Sequence, residues 1–285
     1  MTIPLRVALG LLLLAMELGG PPPAHADEVP YIQTPANVVD AMLSIAEVGP
    51  RDYVIDLGSG DGRIVIAAAK RYRARGLGIE LDNWLVAQSR ANAAREGVSS
   101  RAQFLHQDIF RADFRAATVL TMYLLPEVNL DLRPRILFEL RAGTRIVSHD
   151  WDMGDWESDR RLVIQAPDKT IGLERESTVY LWIVPARVAG YWRGVLAGPG
   201  GKESVVVEFA QRFQHATATV WLRRWTLAGS GRIRGNTLAL SLERLPWMAG
   251  SEPLRFSLRV AAGRLEGEAV DGGQRYVLRA RRLVE

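Results

Sequence analysis

The sequence of 285 residues contains no cysteine, four histidines and three lysines. The absence of cysteine excludes thiolate nucleophiles, disulfide frameworks and Cys-ligated zinc or iron–sulfur sites. The histidines are scattered without i, i+4 spacing, so the sequence predicts no metal site. Hydrophobic residues make up 48% of the chain and charged residues 24%, which is typical of a globular protein and not of a disordered one. Any chemistry must therefore use other side chains or a cofactor.

Long apolar runs are also absent, since no segment approaches the roughly 20 apolar residues that a membrane-spanning helix needs. The single apolar run, residues 7–16, follows Arg6 and precedes Gly-Gly-Pro-Pro-Pro and then Ala-His-Ala at 24–26. This order is typical of a signal peptide over residues 1–26, so we expect a periplasmic or secreted protein that begins at Asp27 and has no transmembrane segment. Translation from Met16 would instead leave a cytoplasmic protein.

Charge is distributed unevenly along the chain. Residues 1–185 carry 20 Lys and Arg against 24 Asp and Glu, whereas residues 186–285 carry 16 against 8. Opposite signs in the two parts favour two modules with different surfaces. The basic module could face an anionic component of the cell envelope, or it could be an ordinary Arg-rich solvated surface.

Residues 27–185 show strands that alternate with helices. The predicted strands are 52–57, 76–80, 102–107, 117–123 and 144–149, followed by a hairpin from about 169 to 184. The first helix should begin with a Thr34 hydroxyl cap and Pro35 in its first position. This pattern predicts an α/β Rossmann-like domain with a mostly parallel, seven-stranded sheet, which binds its ligand at the carboxyl ends of the strands.

A glycine-rich turn follows the first strand. Gly58, Gly60 and Gly62 permit a sharp turn and a close approach of the backbone to a ligand, but Arg63 replaces the third glycine of a dinucleotide fingerprint. A pyrophosphate there would also meet the carboxylates of Asp56 and Asp61. These acids favour a cationic nucleoside without phosphate, and S-adenosylmethionine is such a cofactor.

Two further acids lie where neighbouring strands end. Glu80 closes the second strand and is placed to accept hydrogen bonds from a ribose diol, while Asp108 closes the third and could accept from an adenine amino group. We include their neighbours Leu81 and Ile109 among the expected cofactor contacts.

These motifs resemble those of a known enzyme class. The stretch Asp-Leu-Gly-Ser-Gly-Asp-Gly at 56–62, with Gly-Ile-Glu at 78–80 and Gln-Asp at 107–108, resembles class I S-adenosylmethionine-dependent methyltransferases. With Pro-Tyr at 30–31 and Thr-Pro at 34–35, the pattern is similar to the mitochondrial ATP synthase c-subunit and adenine nucleotide translocase lysine methyltransferases and their bacterial relatives. The resemblance implies N-methylation of a protein lysine or another amine. It also implies a set of residues that hold the cofactor: Asp56, Gly58, Gly60, Glu80 and Asp108. A second set would cover the cofactor and line the acceptor channel, namely Tyr31, Thr34 and the turn from Tyr123 to Pro126.

The identity of the acceptor is less constrained. Methyl transfer mainly requires alignment, exclusion of water and a neutral amine, so a protein or a small molecule could serve. Cytosine C5 methylation needs a cysteine nucleophile, and this sequence has none. Methylation of an exocyclic amine of DNA uses an Asn/Asp-Pro-Pro-aromatic motif, which the turn after the fourth strand lacks. We therefore expect no sequence-specific nucleic-acid partner. The segment 148–156 departs from the resembled enzymes, so their substrates are not implied.

Several residues at the same edge could act on the acceptor. His149 and Asp150 end the fifth strand and could deprotonate an amine, or could have a structural hydrogen-bonding role. The candidate walls of a lysine channel are aromatic: Tyr31, Tyr123, Trp151 and Trp156. Of these, Tyr123 is, with His149, a candidate catalytic residue on the acceptor side.

Residues 186–285 differ in kind from the preceding domain. Short strands separated by Gly- and Pro-containing turns predict about eight antiparallel strands in a small up-and-down barrel. The barrel could bind an apolar ligand, direct the substrate or cap the catalytic domain, and we expect it to be separable from residues 27–185. Two other functions stay open: a non-catalytic binding or scaffold protein of the envelope, and a nicotinamide oxidoreductase, which Arg63 opposes.

Overall fold

A computed structural model of the chain describes residues 31–170, 174–244 and 252–283. The predicted signal peptide lies outside these residues, as do residues 171–173 of the predicted hairpin. The elements up to residue 183 are α1 (Ala36–Ile45), β1 (Tyr53–Leu57), α2 (Arg63–Tyr72), β2 (Arg75–Glu80), α3 (Asn83–Arg95), β3 (Ala102–His106), β4 (Val119–Met122), α4 (Pro126–Glu139), β5 (Arg145–His149), β6 (Arg160–Gln165) and β7 (Glu176–Ile183).

The seven strands form one sheet in the order β3-β2-β1-β4-β5-β7-β6. The first five are parallel, and β7 runs antiparallel to both β5 and β6. The predicted Rossmann-like, mostly parallel fold is confirmed. Because β1 pairs with β2 on one side and with β4 on the other, the strand order reverses there, and this is where open α/β sheets bind ligands.

Helices cover both faces of this sheet, which explains the apolar central strands. All four residues of β4 are buried, as are four of the five in β1 and in β5. One core contains residues of α1 and α2, including Val38, Met42 and Ile64. A second contains residues of α4 and the fully buried rings of Trp156 and Trp182. These two cores hold the strand ends in a fixed register.

Two expectations about local structure are wrong. Pro35, and not Thr34, is the N-cap of α1, and no side chain caps this helix, because the Thr34 hydroxyl instead lies 3.4 Å from the Nδ1 of His149. The hairpin begins earlier than predicted, since its first strand is β6 at 160–165. The sequence of β6, Arg-Arg-Leu-Val-Ile-Gln, contains a run of only three apolar residues, and all but one of its residues are exposed on this edge strand.

The rest of the chain forms a closed antiparallel barrel, as predicted, in which each strand pairs with its neighbours in sequence and the last pairs with the first. Side chains of all eight strands fill its interior, among them Trp192, Phe209 and Phe256. The strands are β8 (Gly190–Gly198), β9 (Gly201–Arg212), β10 (His215–Leu222), β11 (Trp225–Arg234), β12 (Thr237–Leu242), β13 (Leu254–Ala261), β14 (Arg264–Asp271) and β15 (Gln274–Arg282).

The barrel packs against the sheet domain through apolar and polar contacts. Phe213, in the turn between β9 and β10, stacks on Trp156 with ring centroids 6.0 Å apart. The Gln214 side chain donates to the Glu157 carbonyl at 2.8 Å, and Arg212 forms an ion pair with Asp155 at 2.7 Å. Sheet and barrel therefore share an interface with a buried aromatic centre.

None of the helices described is both long and apolar enough to cross a membrane.

Candidate functional site

The glycine turn joins β1 to α2 at the switch point of the sheet. Gly58, Gly60 and Gly62 have φ of 71°, 53° and 82°, in the left-handed region that favours glycine. A Cβ at Gly58 would lie 2.8 Å from Leu124, and a Cβ at Gly62 would lie 2.6 Å from Phe104. The turn is therefore glycine-rich for two reasons, namely its backbone conformation and its close packing.

Glu80, at the end of β2, is fixed by the backbone around it. Its Oε2 accepts from the Gly60 N–H at 2.8 Å, and its Oε1 accepts from the N–H groups of Leu81 at 2.8 Å and Asp82 at 3.1 Å. A carboxylate offers about four acceptor positions, so roughly one is left for a ligand hydroxyl in this conformation. A ribose diol bound by both hydroxyls would have to share or displace one of these bonds.

Asp56 is buried just before the turn, and its Oδ1 accepts a 2.7 Å hydrogen bond from the Thr121 hydroxyl of β4. Burial raises the pKa of Asp56 to about 8, against the lowering effect of the Thr121 hydrogen bond. The charges of Glu80 and Asp61 also raise it. A cationic ligand would lower this pKa again, because it stabilises the carboxylate.

Arg63, at the position of the third glycine of a dinucleotide fingerprint, makes contacts that stabilise the glycine turn. Its guanidinium donates to both carboxylate oxygens of Asp61, with Nε at 2.9 Å and Nη2 at 2.6 Å, and its Nη1 donates to the Thr34 carbonyl at 2.8 Å. The pairing neutralises Asp61, which the sequence predicts to be a cofactor contact. It also ties the glycine turn to the residue that precedes the cap of α1.

Asp108 follows β3, which ends beside β2. Its Oδ1 accepts from the Phe110 N–H at 2.8 Å, and its Oδ2 lies 3.8 Å from the Nε of Arg111. Ile109 packs partly onto the core, while Leu81 and Phe110 are 66% and 44% exposed. Two exposed apolar side chains thus stand near the carboxylates of this edge. The sequence analysis named the immediate neighbours of the acids, Leu81 and Ile109, but not Phe110, which lies two positions after Asp108.

A second group of side chains follows β4 and β5 at the same edge. The Tyr123 ring lies over the His149 ring, with centroids 3.9 Å apart, and its hydroxyl lies 3.4 Å from the Oδ2 of Asp150. Burial raises the pKa of Tyr123 to about 12, and the charge and hydrogen bond of Asp150 act in the same direction. Tyr123 is therefore a neutral wall and hydrogen-bond donor.

His149 is fully buried, with one ring nitrogen 3.4 Å from the Thr34 hydroxyl and the other 2.8 Å from the Ser177 hydroxyl. Burial lowers the pKa of His149 to about 4, which outweighs the raising effect of Asp150. Both nitrogens have partners inside the protein, so these contacts favour the structural alternative over proton transfer to an acceptor.

Asp150 and Lys169 form the charged part of this group. The Nζ of Lys169 lies 2.8 Å from the Oδ2 of Asp150 and donates to the Glu176 carbonyl at 2.6 Å. The Oδ1 of Asp150 accepts from the Thr178 N–H at 3.0 Å, and Asp150 has a left-handed φ of 62°. Sequence reasoning assigned Lys169 only to a hairpin, although its rarity as one of three lysines was a usable signal.

Of the other proposed channel walls, one is buried in the core and two are exposed. Trp156 is 1% exposed and stacks on Phe213, so it belongs to the core and the prediction that it lines a channel is wrong. Trp151 and Tyr31 are 43% and 41% exposed.

The glycine turn and the second group are joined by direct contacts. Leu124, next to Tyr123, is the residue that a Cβ at Gly58 would strike. Thr34 contacts both sides, through its carbonyl with Arg63 and through its hydroxyl with His149. The edge therefore combines a turn that admits a close ligand, buried acids and a carboxylate that already holds an ammonium group. This donor set fits S-adenosylmethionine, whose sulfonium and ammonium are cations and whose nucleoside carries no phosphate.

The chain is similar to known proteins in sequence. The family model for the ANTKMT methyltransferase domain matches residues 56–160. A protein-lysine N-methyltransferase of Saccharolobus islandicus is 39% identical over 162 residues, which cover 56% of this chain and 97% of that protein. The mouse adenine nucleotide translocase lysine N-methyltransferase is 34% identical over 46% of this chain, and the match spans only 56% of the mouse enzyme.

A solved structure also resembles part of the chain. The crystal structure of an RNA methyltransferase from Salinibacter ruber in complex with S-adenosyl-L-homocysteine superposes with a TM-score of 0.51 and 46% sequence identity. The match covers 55% of this chain and 96% of that one. Because the archaeal relative is matched over nearly its whole length, this chain belongs to the protein-lysine N-methyltransferase family and is an S-adenosylmethionine-dependent methyltransferase.

Proposed function

We propose that this protein transfers a methyl group to the Nε of a lysine in a protein acceptor, and that the acceptor amine binds beside Asp150. The observation that carries the proposal is the ammonium of Lys169, which Asp150 holds at 2.8 Å at the carboxyl edge of the sheet. An external lysine ammonium would replace Lys169 at this position and form the same charge-assisted contact with Asp150.

The residues of this edge have separate tasks in the proposed reaction. S-adenosylmethionine supplies an already activated methyl group, so the protein needs no strong acid or nucleophile. The glycine turn and Glu80 orient the cofactor, and Asp150 orients the amine, so that nitrogen, methyl carbon and sulfur can lie in line. The Tyr123 ring excludes water and favours a cationic amine by cation–π contact. The His149 ring packs against the Tyr123 ring and so holds it in position.

The test uses methyl-labelled S-adenosylmethionine with protein and RNA fractions of the host. We expect protease treatment to release the label and nuclease treatment to leave it in place. The Asp150→Asn variant should incorporate less label. RNA is the second candidate acceptor, since the Salinibacter ruber relative is described as an RNA methyltransferase. Nuclease-sensitive label would establish that alternative and overturn the protein acceptor.

We further propose that the barrel binds an anionic component of the cell envelope, and that this binding brings the enzyme to its acceptor. Arg264 lies opposite Arg281 on β15, and Arg281 lies opposite Arg193 on β8, so three exposed arginines form one row. None of the three has an ion pair among the described residues, whereas Arg279 on the same strand pairs with Glu266. Adjacent like charges repel, and an anionic partner would relieve the repulsion.

Methylation in host envelope fractions tests this docking. Arg193→Gln combined with Arg281→Gln should lower the methylation rate and weaken its dependence on salt. Arg275→Gln is the matched control, because Arg275 pairs with Glu268. An unchanged rate in the double variant would contradict the docking proposal without affecting cofactor binding.

Export is proposed on the sequence pattern of residues 1–26 alone. N-terminal sequencing of the protein from its native host should return Asp27 as the first residue. A chain that begins at Met1 or Met16 would contradict export.

A further inference from the structure

Lys169 occupies an unusual place among the three lysines of the chain. It lies between β6 and β7, and its side chain is only 14% exposed. Lys70, on the surface of α2, is 58% exposed and pairs with Glu96, while Lys202 is an exposed residue of the barrel strand β9. Only Lys169 brings a lysine amine to the carboxyl edge of the sheet.

Two oxygens hold the amine in a defined position. The Asp150 carboxylate lies 2.8 Å from Nζ, and the Glu176 carbonyl accepts from Nζ at 2.6 Å. Asp150 is itself fixed by the Thr178 N–H and is contacted by the Tyr123 hydroxyl. The amine is therefore oriented by groups that do not depend on a bound substrate.

The held amine is close to the cofactor turn in the fold. Tyr123 comes directly after β4, which pairs with β1, and Asp150 comes directly after β5, which pairs with β4; the glycine turn follows β1 at the same edge. Leu124 packs against Gly58, and the His149–Thr34–Arg63 contacts bridge the two groups. The amine of Lys169 thus lies at the edge of the sheet that carries the glycine turn, and it is tied to that turn by these contacts.

We propose that Lys169 is a methyl acceptor within the enzyme itself, so that the protein methylates its own chain; this inference rests on the proposed function. The ammonium first loses one proton to solvent by way of Asp150. The amine lone pair then forms the N–C bond while the sulfur–methyl bond breaks and its electron pair returns to sulfur. The products are S-adenosylhomocysteine and a monomethylated Lys169, which is again a cation.

The two oxygens also set the extent of methylation. A monomethylammonium keeps two hydrogens, one for Asp150 and one for the Glu176 carbonyl. A second methyl group would leave a single hydrogen for two acceptors, so one of the two contacts that now hold the amine would be lost. Monomethylation is therefore the expected end point.

The experiment incubates the purified full chain with S-adenosylmethionine and locates the modification by peptide mass spectrometry. The peptide that contains Lys169 should gain the mass of one CH₂ group, and the peptides with Lys70 and Lys202 should not. Lys169→Arg should abolish the gain in intact mass, and the control Lys70→Arg should retain it. The first-order rate constant for modification should be independent of protein concentration, since the amine lies in the same chain.

Calorimetric titration with S-adenosylhomocysteine, run on the same sample, separates the two proposals. Cofactor binding without modification of Lys169 overturns the self-methylation inference, whether or not external proteins are methylated. An apparent first-order rate constant that rises in proportion to protein concentration also overturns it, because transfer would then occur between molecules. Methylated Lys169 together with unlabelled host proteins would instead remove the proposed acceptor class and leave this inference standing.

Discussion

At the scale of single residues, the protonation of Asp56 should make cofactor affinity depend on pH. Its pKa of about 8 in the free protein means that the carboxyl is largely protonated at pH 7. A bound cation lowers that pKa, so binding should release a proton at pH 7, and affinity should rise between pH 6 and 8. Titrations with S-adenosylhomocysteine in buffers of different ionisation enthalpy measure this release. Asp56→Asn should abolish it, and the exposed control Asp113→Asn should not.

The same residue also makes folding stability depend on pH. A carboxyl with a raised pKa in the folded state keeps its proton where the unfolded chain has lost it, so its contribution to stability falls as pH rises from about 4 to about 8. The unfolding free energy of Asp56→Asn relative to wild type should therefore increase by up to about 1.4 kcal/mol per pH unit over this range. A difference that is flat with pH would contradict the burial of an uncharged Asp56.

The positions of Asp56, Glu80 and Asp108 in the fold could be predicted because each lies at or just after the end of a recognisable strand. The acceptor half could be predicted only in part. Asp150 and His149 end a strand in the same way, but Lys169 reaches Asp150 from another strand pair, 19 positions along the chain. Trp156 was misplaced because an aromatic side chain near a strand end can face the core as readily as the site, and sequence does not show that Phe213 covers it.

At the scale of elements, the glycine turn depends on both conformation and space. Gly62→Ala places a methyl group 2.6 Å from Phe104 at a left-handed φ, so it should destabilise the protein by more than the roughly 1–2 kcal/mol of left-handed strain alone. It should also weaken S-adenosylhomocysteine binding, since the turn must shift. Denaturant unfolding and calorimetric titration measure the two effects.

Gly97 provides the matched control for this prediction. It has φ of 68°, and no atom lies within 4 Å of the position that an added Cβ would take. Gly97→Ala should therefore cost only the left-handed strain and leave cofactor affinity unchanged. Equal destabilisation by both substitutions would show that the packing of Phe104 against the turn is unimportant.

Elements with a clear apolar pattern were the predictable ones. The five parallel strands and the barrel strands were expected near their observed positions because buried strands carry continuous or alternating apolar residues. The edge strand β6 was not predicted because its apolar run is only three residues long, Leu-Val-Ile, and charged residues precede it. The cap of α1 was misassigned because Thr34 has a tertiary partner, His149, which competes for its hydroxyl.

At the scale of the whole molecule, the barrel and the sheet domain are coupled through Phe213. This residue stacks on the buried Trp156 and packs against the core of the sheet domain. Phe213→Ala should lower the unfolding free energy by about 2–4 kcal/mol, because it removes the cover of a buried aromatic ring. Trp221→Ala, at a partly exposed barrel ring, should cost less. Thermal unfolding of both variants makes the comparison.

This coupling changes what is expected of the separated catalytic part. A chain of residues 27–185 would expose Trp156 where Phe213 now covers it. The sequence favoured two separable modules from charge and strand pattern, but neither quantity reports the interface between them. Loss of folding in that short chain would therefore reflect the missing barrel contact and would not argue against the cofactor site.

The most direct measurement of the central claim is the affinity of the folded full chain for S-adenosylhomocysteine when the carboxylate of Glu80 is removed. Glu80→Ala should weaken binding by about 10–150-fold, because a charge-assisted hydrogen bond contributes about 1.5–3 kcal/mol. Circular dichroism confirms that the variant is folded. A folded Glu80→Ala protein with wild-type affinity would contradict the placement of the cofactor at this turn.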